Sequence, residues 1–133
     1  MGRSLNTDVR TVLICEDDPV QARLVRDGLT HNGWYVVGPC ATPEEGERMA
    51  QEPSLCAALL DVELEGGSSI GVAKILIERG IPFAFVTSHG PTTAATLRSF
   101  SDRLVVPKPV TSDLLHEILQ SLLGQPTRPA VAS

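Results

Sequence analysis

The sequence predicts one α/β domain, a parallel sheet wrapped by helices on both faces, and three observations carry that expectation. Five short apolar runs alternate with five helical patterns along the chain. Four of the runs are nearly continuous in apolar residues, as strands buried on both faces should be. The connections are long enough for helical crossovers, and strict β-α alternation of this kind gives parallel strands. A length of 133 residues supplies one core and leaves no room for a second.

The first run, 11–15, leads to Asp18-Pro19, an N-cap followed by proline at the first helical position. Val20, Leu24 and Leu29 form the expected inward stripe of that helix, which stops near Asn32-Gly33. After the second run, 35–40, Thr42-Pro43-Glu44-Glu45 reads as a capping box, with Thr42 as cap and Glu45 reaching back. The third run, 56–60, is followed by Gly66-Gly67-Ser68-Ser69. That stretch lacks the Lys-Thr of a phosphate-binding loop and reads as a flexible turn. Helix three carries Ile70, Ala73, Leu76 and Ile77 on one side and ends at Gly80, before Pro82. The fourth run, 83–86, precedes a helix over about 92–100 with Ala94, Ala95, Leu97 and Phe100 as its stripe. Its β-branched Thr92, Thr93 and Thr96 lower the helix propensity. The last run, 104–106, leads to a helix from a Thr111 or Ser112 cap to Leu123, with Leu115, Ile118, Leu119 and Leu122 inward. Leu114 and Leu123 widen this stripe beyond one sheet face, as a contact surface or as loose core packing. The expected domain is 9–123, with flexible termini at 1–8 and 124–133 and no output domain after it.

Composition excludes several functions. Eleven Lys and Arg stand against sixteen Asp and Glu, a net charge of −5, which repels nucleic acid and anionic membrane surfaces. Neither is expected as a partner. No apolar run approaches the ~18–20 residues of a transmembrane helix, and the first eight residues lack a secretory layout. Cys15, Cys40 and Cys56 lie in apolar segments without C-x-x-C spacing, so they read as buried reduced thiols of a cytoplasmic protein rather than a zinc site.

In open α/β sheets ligands bind beyond the carboxyl ends of the strands. Glu16, Asp17 and Asp18 follow the first strand, and Asp61 follows the third with Glu63 two residues on. Thr87-Ser88 ends the fourth and Pro107-Lys108-Pro109 the fifth. With strands one and three adjacent, four or five carboxyl groups crowd one rim. Two unit charges ~4 Å apart repel by roughly 4 kcal/mol at an effective dielectric near 20, so such a cluster needs a cation or must keep some carboxyls protonated. Oxygen ligands suit hard Mg²⁺ or Mn²⁺. A metal held by few protein groups leaves positions for phosphoryl oxygens, and Asp61 could act as a nucleophile forming an acyl-phosphate. Lys108 and Thr87 would then hold other oxygens of the transferred group. The chain has only two lysines, and one flanked by prolines at a strand end is better explained as a point charge aimed at an anion than as a solubilising group.

These residues, in this order, resemble the receiver domain of two-component response regulators. The resemblance rests on Cys15-Glu16-Asp17-Asp18, Leu59-Leu60-Asp61-Val62, Phe85-Val86-Thr87-Ser88 and Lys108-Pro109, and spans about 11–123. It implies a flavodoxin-like, three-layer α/β/α fold with strand order 2-1-3-4-5. Asp61 matches the phosphoacceptor aspartate, charged by a histidine kinase or histidine phosphotransfer protein. Glu16 and Asp17 match the acidic pair that organises Mg²⁺, joined by Asp61 and the backbone carbonyl of Glu63. Thr87 looks like the switch hydroxyl and Lys108 like the phosphate-contacting lysine, on a Lys108-Pro109 bond that is usually cis. Asp18 reads as a helix cap or an outer tuner of the metal.

The sequence departs from the family at Val105, where a Tyr or Phe often follows the switch hydroxyl inward. Pro107 removes a ladder donor, so strand five is expected to end early. The stretch from Pro82 to Thr87 resembles a subgroup of stand-alone regulators that commonly lack the strand-five aromatic. His89 reads as a loop residue or a modulator of water access to the acyl-phosphate. His31 and His116 read as solvated, and Trp34 as strand-edge packing. The expected function is a single-domain response regulator that switches binding of a downstream protein, not an enzyme beyond slow self-dephosphorylation. The alternatives are a Mg²⁺-dependent phosphohydrolase, for which Asp61-Val62-Glu63 supplies the acid-x-acid form, and a nucleotide- or flavin-binding module, which lacks a glycine-rich first turn.

Overall fold

In a computed structural model, which describes residues 10–88 and 91–124, the alternation of runs and helical patterns is realised in full. The elements are β1 (Arg10–Cys15), α1 (Pro19–His31), β2 (Trp34–Cys40), α2 (Pro43–Met49), β3 (Leu55–Leu60), β4 (Glu63–Leu64), β5 (Gly67–Ser68), α3 (Ile70–Arg79), β6 (Phe83–Thr87), α4 (Pro91–Arg98), β7 (Leu104–Pro107) and α5 (Ser112–Gly124). Five parallel strands form one sheet in the order β2-β1-β3-β6-β7, the 2-1-3-4-5 arrangement that the resemblance implies. Helices cover both faces. Because side chains alternate across a strand, Leu13, Cys15, Leu60, Phe83 and Phe85 pack with Ala50, Val72 and Leu76 on one side. Val12, Ile14, Leu59 and Val86 pack with Leu29, Leu115 and Leu119 on the other. Each fully buried leucine of these layers contributes roughly 1.5–3 kcal/mol.

The caps form as the sequence indicates. Asp18 Oδ1 accepts from the Val20 N–H at 2.9 Å, Thr42 Oγ1 accepts from Glu45 N–H at 3.2 Å, and Glu45 Oε1 accepts from Ala41 N–H at 3.0 Å. Gly80 closes α3 with φ +70°, a left-handed conformation that favours glycine.

Several expectations need correction. Val20 and Leu24 are 65% and 60% exposed; the inward face of α1 is Ala22, Val25 and Leu29. The cause is α5, which lies so close that a Cβ added at Gly28 would land on the Ser112 side chain. Gly28 sits on the flank toward α5, Val25 and Leu29 turn to the sheet, and the Val20 face turns to solvent. Likewise Ile77 is exposed while Val72 is buried, and Leu114 and Leu123 lie on the surface rather than in the core. The glycine-rich stretch is more than a turn: β4 and β5 pair antiparallel through Gly66, at φ +89°. Helix α4 ends at Arg98, with Ala94 and Ala95 exposed and Thr93 turned inward. Strand β7 reaches Pro107, and the Lys108 N–H still bonds the Thr87 carbonyl at 3.0 Å. Pro107 is tolerated because β7 is an edge strand.

Trp34 is buried and its Nε1–H donates to His116 Nδ1 at 2.8 Å, so His116 is half-buried rather than solvated. Cys15 and Cys40 are buried, Cys56 half-buried, and none of the three is in a disulfide. The side-chain contact with Cys40, then burial, pushes the Cys15 thiol up, and the same contact lowers Cys40. Among the described residues no helix is long and apolar enough to cross a membrane. The expected flexible termini lie outside the described residues, except Gly124, which ends α5.

Candidate functional site

The rim is built on the backbone of two strands. The Asp61 N–H donates to the Cys15 carbonyl at 3.0 Å and the Glu16 N–H to the Cys40 carbonyl at 2.9 Å. These bonds place both carboxyl groups at the same end of the sheet, where Glu16 is 8% and Asp61 9% exposed. Asp17 stays exposed beside them. Carboxylate oxygens of Glu16, Asp17 and Asp61 all lie within 4.8 Å of one another.

Lys108 reaches across from β7. Its Nζ donates to Glu16 Oε1 at 2.7 Å and to Asp61 Oδ2 at 2.8 Å. Burial pulls the lysine down, but the bonds to Asp61 and Glu16 outweigh it, and its pKa ends above the ordinary 10.5. Its peptide bond to Pro109 is cis. On the other side of Asp61, Oδ1 accepts from Thr87 Oγ1 at 3.4 Å and from the Glu63 N–H at 3.3 Å. The Thr87 hydroxyl also lies 3.1 Å from the Ser88 carbonyl. A hydroxyl carries one proton, so it serves one of these acceptors at a time.

The structure thus brings Glu16, Asp17, Asp61, Thr87 and Lys108 together. Glu63 joins them by its backbone, while its exposed carboxylate turns away and accepts from Thr93 Oγ1 at 3.2 Å. Asp18 caps α1 with its side chain, and its N–H donates to Glu16 Oε2 at 3.1 Å. His89 lies outside the described residues. The contact of Thr93 with Glu63 has no signal in the sequence, where Thr93 reads only as a β-branched residue in a weak helix.

Three carboxyl groups face one ammonium here, and all the available donors are oxygens. That set fits a hard divalent ion such as Mg²⁺, which takes few protein carboxylates and keeps waters. Beside Thr87 and Val105 opens an apolar groove of about 400 Å³, lined also by Thr93, Ala94, Leu97, Arg98 and Ser101.

The family model described as the response regulator receiver domain matches residues 12–120. A search of curated proteins finds no match. Among solved structures, SdrG from Sphingomonas melonis Fr1 is 35% identical, with TM-score 0.72, covering 87% of this chain and 98% of that one. The signal receiver domain of a modulated diguanylate cyclase from Desulfovibrio desulfuricans G20 is 27% identical, with TM-score 0.75 over 87% of this chain and 94% of its own. A CheY-like receiver domain protein from Methanospirillum hungatei JF-1 shares the fold at 23% identity and TM-score 0.72, covering 86% and 94%. With the family model spanning most of the chain, and a parallel sheet in the matching order, this protein belongs to the response regulator receiver domains.

Proposed function

We propose that the chain is a stand-alone cytoplasmic response regulator. It would take a phosphoryl group on Asp61 from a histidine kinase or histidine phosphotransfer protein, in a Mg²⁺-dependent reaction, and thereby switch binding of a downstream protein. The observation that carries this reading is Lys108 Nζ bridging Glu16 and Asp61 within 2.8 Å. An ammonium held at the acceptor is placed to meet a phosphoryl oxygen. Glu16, Asp17 and Asp61 would hold the ion, with the Glu63 carbonyl, and the bound ion supplies charge neutralisation at the phosphoryl oxygens.

An Asp61 carboxylate oxygen attacks phosphorus, an O–P bond forms, and the P–N bond to the donor imidazole breaks with its electron pair leaving on nitrogen. Lys108 stabilises the charge gathered on the phosphoryl group, and the Thr87 hydroxyl turns from Ser88 to one of its oxygens. Capture of the group rewards the arrangement with both residues drawn inward, which is a population shift. The exposed Val20 and Leu24 sit on α1 just beyond Asp17 and Asp18, an apolar surface next to the rim where a phosphodonor protein would dock. The stand-alone mode is supported by the Phe83-Ala84-Phe85 strand and by Val105 in place of an aromatic.

Incubation with Mg²⁺ and acetyl phosphate or phosphoramidate is expected to add one hydroxylamine-labile phosphoryl group, and Asp61→Asn to abolish it. Full, equally labile labelling of Asp61→Asn would overturn the assignment. Steady turnover of small phosphate esters would instead favour a phosphohydrolase.

A further inference from the structure

Beneath the acid rim lie two cysteines that the proposed phosphoryl chemistry does not use. Cys15 ends β1, Cys40 ends β2, and the two are partners in the strand register. Both side chains belong to the layer on the α2–α3 side of the sheet, where each is 2% exposed. Neighbouring strands lie ~4.8 Å apart, inside the Cα separation of about 4.4–6.8 Å that a disulfide spans. Strand β2 is an edge of the sheet, so Cys40 has one sheet neighbour and is reached by local opening of that edge. The backbones of the same two residues seat the rim, through the Cys15 carbonyl to Asp61 N–H and the Cys40 carbonyl to Glu16 N–H.

We propose that Cys15 and Cys40 form an oxidisable dithiol whose disulfide loosens the backbone seats of Glu16 and Asp61, a control on the site that rests, for its meaning in signalling, on the function proposed above. The oxidant is hydrogen peroxide. The Cys40 sulfur attacks one peroxide oxygen, the O–O bond breaks, and the leaving hydroxide takes the thiol proton as water. The Cys15 sulfur then displaces the hydroxyl of the resulting sulfenic acid, forming the S–S bond, and its proton leaves in a second water. Two thiols are oxidised by two electrons and one peroxide is reduced to two waters. Closing the bond draws Cβ atoms from about the strand spacing to ~3.8 Å, a movement of about 1 Å that pulls on the two backbones whose carbonyls seat the rim.

The test uses the full chain carrying Cys56→Ser, treated with hydrogen peroxide under native conditions, alkylated and digested with trypsin. Cleavage after Arg10, Arg23, Arg26 and Arg48 puts the two cysteines on separate peptides, 11–23 and 27–48. The expected product is these peptides joined, about 2 Da below their summed mass, and absent after reduction with dithiothreitol. In the oxidised protein the Glu16 and Asp61 amides should exchange hydrogen about tenfold faster than in the reduced one. Alkylation of both thiols without a cross-link, or a cross-link seen only in urea, would overturn the dithiol. Unchanged exchange at the two amides would overturn its control of the rim. Neither readout needs metal or phosphate, so failure of the phosphoacceptor reading shows up separately, in the Asp61 labelling.

Discussion

The β1–β3 part of the sheet and the β6–β7 part hold the site in different ways. On the β1–β3 side, Glu16 and Asp61 are buried, seated by backbone bonds, and joined through a single ammonium. On the β6–β7 side, β7 is four residues long, the Thr87 hydroxyl is shared between two acceptors, and an open groove lies where Val105 is too short to fill it. Under the function proposed above, the phosphoryl group would meet a preformed half, and the open groove gives the other half room to respond.

The largest expected effect breaks the preformed half. Lys108→Ala leaves two buried carboxyl groups without the ammonium they share, keeping only neutral donors, and should cost about 1–3 kcal/mol in urea unfolding. Mg²⁺ should then stabilise the variant more than the wild type, since the ion takes over the neutralising role; equal stability of the two proteins would mean the acid rim does not depend on the lysine. The same contribution should respond to alkali. Because the folded-state pKa of Lys108 is raised above 10.5, its stabilisation is fully present below that value and is lost as pH rises through the higher folded pKa. On the alkaline side, wild type and Lys108→Ala should converge in stability in that range.

Smaller effects belong to the other half. Val105→Phe should fill the groove and raise stability by about 1 kcal/mol, read as a higher midpoint of thermal unfolding. A loss instead would show that the groove closes in solution. Thr93→Val removes the bond to Glu63 and should cost about 0.5 kcal/mol, because the exposed carboxylate finds water. Its clearer sign would be faster amide exchange in α4 alone.

Much of this was legible in the sequence for a physical reason. Residues at strand ends have their neighbours set by topology: the alternation of elements put Glu16, Asp17, Asp61, Thr87 and Lys108 at strand ends, and the strand order implied by the family resemblance gathered them on one rim. Helix faces were less legible. Val20, Leu24 and Ile77 fit an apolar period but are exposed, since spacing alone does not say which side of a helix meets the sheet and its neighbours; on α1 the close approach of α5 limits that side. The β4–β5 pair escaped notice because two-residue strands leave no alternation to read. The Trp34–His116 bond spans 82 residues, and no local pattern announces a contact of that separation.

The close approach of α1 and α5 at Gly28 sets a rule for anyone rewiring such a protein to a new phosphodonor. Positions 20, 23, 24 and 27 face solvent and, under the function proposed above, are the ones to exchange to change docking preference. Position 28 is not one of them: even a methyl group would collide with Ser112, displacing the start of α5 four residues after Lys108. A grafted recognition helix must therefore keep its glycine there, or it will shift the surroundings of Lys108 and Asp61 along with the docking face.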